Sequence, residues 1–209
     1  MYMKIKRLLD IVLSFIGLVG LSPIFLIIII SIKLESKGPV FFKQTRVGIR
    51  KTHFDILKFR TMRIDTPKDT PTHLLGNSDQ YITKVGKFLR KTSLDELPQI
   101  WNIFVGEMSI IGPRPALWNQ YDLIAEREKY GANDYLPGLT GWAQINGRDE
   151  LPIEVKAKLD GEYVDKISFR MDVKCFFGTI VSVFKSDGIV EGASRINNEV
   201  ASNKESNTK

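Results

Sequence analysis

Residues 11–32 read IVLSFIGLVGLSPIFLIIIISI, 22 positions without a charged side chain, and how this run is seated decides the fold. As one straight helix it would be about 33 Å long, enough to cross the hydrocarbon core of a bilayer. Ser22-Pro23 interrupts it midway. Proline there removes a backbone hydrogen bond and its ring crowds the preceding turn, while a serine hydroxyl can satisfy the carbonyl so freed. Lys4, Lys6 and Arg7 precede the run, and Lys33, Lys37, Lys43 and Arg46 follow it. Positive charge marks the cytoplasmic flanks of membrane segments, so both ends are expected on that side and the helix is expected to be re-entrant. A straight spanning helix is the alternative, since prolines also occur in those. A secretory signal peptide fits less well, because no small-residue cleavage site precedes Lys33-Leu34-Glu35.

The 209 residues suit one compact domain plus an attachment element. Division is expected into 1–36 as membrane helix and flanks, 37–192 as a catalytic domain, and 193–209 as a polar, disordered tail. The net charge of +6 favours anionic partners: nucleic acid, lipid headgroups or phosphorylated small molecules. The single cysteine, Cys175, excludes an intramolecular disulfide and fits a reducing compartment. His53 and His73 are the only histidines, which argues against a zinc site.

Outward from the apolar run, Val40-Phe41-Phe42 and residues 54–61 read as two strands around a turn near Gly48. Leu57 and Phe59 then face one way, Lys58 and Arg60 the other. Residues 63–80 are polar, with Pro67 and Pro71, and read as a surface loop. Short helices are expected over 85–91 and from Pro98, the latter carrying Ile100, Trp101, Ile103 and Phe104. A long helix is expected from Pro115 to Tyr130, stopped by Gly131. Residues 137–147 read as a glycine-rich loop and 152–166 as a helix. Over 169–185, Val173, Phe176, Phe177, Ile180, Val181 and Phe184 recur at helical spacing, a stripe that fits a core face better than an interfacial one. Cys175 lies off that stripe and is expected to be inert. The fold class is therefore α+β and α-rich, with a short β-hairpin and amphipathic helices.

Residues 92–98, TSLDELP, carry the strongest chemical signal. Ser93 and Glu96 have capping-box spacing, so a plain helix start accounts for them. The same geometry serves chemistry, because acids are stabilised as anions at a helix N-terminus and phosphate is received there too. An ionised Asp95 could attack phosphorus and split one displacement into two, with a neighbouring carboxylate holding a divalent cation or a proton. Arg114 lies between Pro113 and Pro115, which limit its backbone, and arginine grips phosphate through paired hydrogen bonds. Such an arginine is also a common turn residue. Lys58, Arg60 and Arg90 are further candidate phosphate ligands, with Asn146 and Arg148 closing another side; each also fits a solvated surface position.

Taken in order, Ser22-Pro23, residues 58–62 (KFRTM), 93–97 (SLDEL), 112–115 (GPRP) and 137–148 (PGLTGWAQINGR) resemble the bacterial sugar transferase family, the small monotopic phosphoglycosyl transferases. The likeness runs from Lys6 to about residue 188. Some members carry additional N-terminal membrane helices, so this chain is expected to be the minimal catalytic form. The resemblance implies a re-entrant helix, a cytoplasmic catalytic domain on the bacterial inner membrane, and sugar-1-phosphate transfer from a UDP-sugar to undecaprenyl phosphate. It implies Asp95 as nucleophile and metal ligand, Glu96 as its partner in the dyad, and Mg2+ as cofactor. Asp172 also falls where the family tends to carry an acid, although it could simply cap the following helix. A modified N-acetylamino sugar is the favoured donor, in capsule, exopolysaccharide or other glycan synthesis. A tethered scaffold with the same fold and no activity is the competing reading, and no nucleic-acid recognition motif supports a nucleic-acid partner.

Overall fold

The computed structural model describes residues 2–64, 66, 80–147 and 151–185. Most of the expected loop at 63–80, and the whole of the expected tail at 193–209, lie outside the described residues. Helix α1 (Tyr2–Gly20) and helix α2 (Ser22–Glu35) meet at a bend of 58°. The cause is local. Pro23 has no N–H for the carbonyl of Val19, and Ser22 Oγ donates to that carbonyl instead, at 2.7 Å. Among the described residues no single helix is long and apolar enough to cross a membrane, whereas the bent pair together has the length and composition.

Helix α1 is built inside out. Lys6, Asp10 and Ser14, spaced four apart, are buried, while Leu9, Val12, Leu13 and Ile16 are exposed. Lys6 Nζ donates to Asp172 at 2.6 Å, Asp10 Oδ1 accepts from the Ile110 amide at 3.0 Å, and Ser14 Oγ donates to the Asp10 carbonyl at 2.5 Å. Arg7 fastens the same helix to the carbonyls of Ile103 and Phe104, at 2.6 and 2.8 Å.

The expected hairpin is present. Strands β1 (Phe41–Val47) and β2 (His53–Phe59) pair antiparallel from Phe41↔Phe59 to Val47↔His53. Helix α3 (Lys84–Lys91) and helix α4 (Gln99–Val105) follow, joined by a single 3-10 turn at Leu94–Glu96. Ile28 and Ile32 of α2 pack with Phe59 and Leu89, and half-buried Leu94 and Leu97 close over the same cluster. The second arm of the bent pair thus supports the turn that carries Asp95 and Glu96.

Three expectations need correction. Residues 115–120 are not helical: Leu117 bridges Arg46 and the Val47 amide donates to the Ala116 carbonyl at 2.9 Å, so helix α5 is only Tyr121–Glu128. The glycine-rich loop contains a strand. Strand β3 (Ser109–Ile111) pairs in parallel with strand β4 (Gly138–Thr140), after which comes the short helix α6 (Trp142–Ile145). Helices α7 (Ile153–Asp165) and α8 (Phe169–Lys185) occur as expected, but the α8 stripe is not core. Phe176, Phe177, Ile180 and Val181 are exposed, and the inward face of α8 carries Asp172 and Cys175 instead. Burial pushes the Cys175 thiol up to about 11, which fits the inert role expected for it.

Candidate active site

The turn at Leu94–Glu96 starts from Ser93 in the left-handed region (φ 56°), whose hydroxyl makes no capping bond. The capping box read from the spacing is therefore not formed, and Glu96 turns toward β2. Glu96 Oε1 accepts from Lys58 Nζ at 2.7 Å and from Arg114 Nη2 at 2.7 Å; Oε2 receives only Arg114 Nη1, at 3.4 Å. Burial alone would raise the Glu96 carboxyl, but the two cations outweigh it and hold Glu96 well below the usual carboxylate range.

Asp95 behaves oppositely. It has no hydrogen-bond or ion-pair partner among the described residues. Burial raises its pKa; Lys58, Arg90 and Arg114 pull the other way and the charge on Glu96 adds to the rise. The helix start does not hold this acid in its charged form, as the sequence led one to expect. The nearby cations limit a rise that desolvation causes.

Arg114 is fixed from both sides. The Pro113 carbonyl accepts from the Gly138 amide at 2.9 Å, and the Pro115 carbonyl from Arg46 Nη1 at 3.1 Å. The Gly112 amide donates to the Thr140 carbonyl at 2.8 Å. A Cβ on Gly141 would stand 2.1 Å from the Gly112 carbonyl oxygen, so the close approach of the two loops requires glycine there. The β3–β4 pairing that the sequence hid is what aims the guanidinium.

Lys58, Asp95, Glu96 and Arg114 thus converge, and Arg90 acts on Asp95 electrostatically while its Nε donates to Thr61 Oγ1 at 2.9 Å. The buried Arg60 lies elsewhere, donating to the carbonyls of Lys37 and Ser36 at 2.7 and 2.9 Å, where it ties α2 to the hairpin. Asn146 Nδ2 donates to the Trp142 carbonyl at 2.7 Å, closing α6. Arg148 lies outside the described residues. Asp172 is committed to Tyr2, Lys6 and Tyr163, at 2.5, 2.6 and 2.7 Å, and so joins α1 to α8.

The sequence did not single out Gln99 or Asn102, both 1% exposed. Asn102 Oδ1 accepts from the Leu57 amide at 3.0 Å and its Nδ2 donates to the Asp55 carbonyl at 2.9 Å, stapling α4 to β2 behind Lys58. A signal existed: Glu96, Gln99 and Asn102 recur every third residue within an otherwise apolar stretch.

Two adjacent carboxylates among three cations make a centre for phosphorylated anions, with one carboxylate neutralised and the other unengaged. Residues 1–186 match the family described as Bacterial sugar transferase, and the chain belongs to that family and is an enzyme. An "Uncharacterized sugar transferase EpsL" from Bacillus subtilis is 41% identical over 187 residues, covering 90% of this chain and 91% of that protein. A "UDP-glucose:undecaprenyl-phosphate glucose-1-phosphate transferase" from Xanthomonas campestris is 40% identical, covering 85% of this chain but 38% of that protein. "Exopolysaccharide production protein ExoY" from Sinorhizobium fredii is 34% identical, covering 88% of this chain and 87% of its own length. The chain therefore spans most of some relatives and well under half of others.

Proposed function

We propose that the protein transfers a sugar-1-phosphate from a UDP-sugar to undecaprenyl phosphate in two displacements on Asp95. The carrying observation is the contrast within the dyad: Glu96 is clamped by Lys58 and Arg114, while Asp95 has no bonded partner among the described residues. In the first step an Asp95 oxygen bonds to the β-phosphorus, the bond to the bridging oxygen breaks and UMP leaves. In the second, an oxygen of the lipid phosphate bonds to the same phosphorus and the phosphorus–oxygen bond of the Asp95 acyl phosphate breaks, freeing the carboxylate and giving undecaprenyl-diphosphate-sugar. Lys58 and Arg114 grip the diphosphate, with Arg90 adding positive potential.

A divalent cation fits this donor set. Among the described residues no cluster of three acids could cage one, but magnesium commonly takes one or two carboxylates and completes its shell with substrate phosphate and water. Asp95 would supply the carboxylate, and the ion would spread the negative charge between nucleophile and substrate.

We place α1 and α2 in one leaflet as a re-entrant pair, supported by the bend, the outward apolar side chains and the flanking lysines and arginines. Exposed Trp101 and Val105 on α4 and Phe177 and Val181 on α8 suit the interfacial zone. The domain then stands on the cytoplasmic face of the inner membrane, where soluble nucleotide and lipid phosphate meet. Glucose is the first donor to try, from the names of the relatives; a modified N-acetylamino sugar is the other.

With a panel of UDP-sugars, magnesium and polyprenyl phosphate, the purified protein should release UMP. With donor alone, intact-protein mass spectrometry should show one sugar-phosphate adduct. Absence of UMP from every donor would leave a tethered scaffold as the answer. The pH dependence gives a separate check. Asp95 is raised, so the acid limb of turnover should fall above the usual aspartate range. Lys58→Met removes a cation that lowers it and should move the limb to higher pH. Glu96→Gln removes a charge that raises it and should move the limb lower.

A further inference from the structure

Gln99 opens α4, and its Nε2 is buried without an acceptor among the described residues. Leaving a buried N–H unmade is costly, and such a group three residues after Glu96 calls for a partner. The surrounding chain narrows what that partner is. The Leu97 amide donates to the Leu94 carbonyl and the Ile100 amide to the Leu97 carbonyl, so the run across Pro98 turns about every three residues. Glu96, Gln99 and Asn102 therefore share one face, and both ends of that face are anchored on β2: Glu96 by Lys58, Asn102 by Leu57 and Asp55. Gln99 stands between them, one turn from Glu96, and helical side chains lean back toward the preceding turn.

Glu96 keeps spare accepting capacity. Both short bonds fall on Oε1, and among the described residues Oε2 has only the 3.4 Å contact from Arg114. In the structure Lys58 and Arg114 neutralise Glu96. A nucleoside diphosphate that draws the two cations onto its phosphates leaves Glu96 an anion short of donors. We propose that Gln99 is a positioning residue for this exchange: its Nε2–H donates to Glu96 when a nucleoside diphosphate takes over Lys58 and Arg114. The proposal rests on the reading of those two cations as diphosphate ligands given above.

UDP binding in magnesium-containing buffer tests it, by a cycle of Gln99→Met and Glu96→Gln on the full-length protein. Methionine keeps the length and removes the donor. Gln99→Met should weaken UDP binding about tenfold, the effect of losing a hydrogen bond to a charged group. Its melting temperature without nucleotide should not fall, because an unsatisfied buried group has gone. In the Glu96→Gln background the same change should alter affinity by less than about twofold. Equal losses in both backgrounds, no loss in the wild-type background, or a Gln99→Met protein that fails to fold would each overturn the proposal. Failure of the diphosphate reading looks different: wild-type protein would not bind UDP, or Lys58→Met and Arg114→Met would bind it as well as wild type does.

Discussion

Replacing Asp95 by Asn is expected to reduce UMP release by at least about a thousandfold, the scale seen when a nucleophile is removed from a covalent mechanism. The amide is nearly the same size and keeps the polar shape, so binding and fold should survive. A second readout separates this from misfolding. Burial disfavours the Asp95 carboxylate, and a neutral amide escapes that penalty, so the variant's melting temperature should match or exceed that of the wild type. The sugar-phosphate adduct should also vanish from the mass spectrum. Turnover near the wild-type rate would remove Asp95 from the mechanism.

Arg127→Ala should produce the largest loss of stability. Arg127, from α5, donates through Nε and Nη2 to Asp160 Oδ2 of α7, at 2.8 and 2.6 Å, and both residues are more than nine-tenths buried. Among the described residues Asp160 Oδ1 is buried without a partner, and Arg127 supplies the donors to Oδ2. Removing one side of a buried pair costs about 3–5 kcal/mol, because the other charge stays behind. Burial already raises the Asp160 carboxyl, and without Arg127 it would rise further. A group whose folded pKa lies above its unfolded one gives more stability as pH falls. The deficit in melting temperature should therefore shrink on acidification, and Arg127→Ala with Asp160→Ala should be more stable than Arg127→Ala alone.

What could be read from the chain followed how far each signal extends along it. The hairpin, α3, α4, α7 and α8 each repeat a period often enough to be seen. The β3–β4 pair could not be seen: three residues per strand give no alternation, and Gly138-Leu139-Thr140 has the composition of a loop. Pro115 fits a helix start, but the carbonyl of Ala116 is taken by the hairpin, a contact nearly seventy positions away in sequence. The α8 stripe had the right period, and its exposure depends on what surrounds it, which a period does not encode. At the candidate site, Lys58 and Arg114 were legible from their flanking residues. The capping box failed because Ser93 takes a positive φ, which frees Glu96 for β2. Arg60 shares a strand face with Lys58 by alternation, yet β2 ends at Phe59 and Arg60 turns to Ser36 and Lys37.

The polar stripe of α1 bears on where chemistry can happen. Lys6 and Asp10 bolt that helix to α8 and β3, and Ile28 and Ile32 of α2 pack beneath the turn that carries Asp95. The helix pair and the turn that carries Asp95 are thereby packed into one unit. On the re-entrant seating proposed above, the depth of the pair would set how high Asp95 rides above the lipid plane. The anchor would then double as a ruler, set to the level of a lipid phosphate.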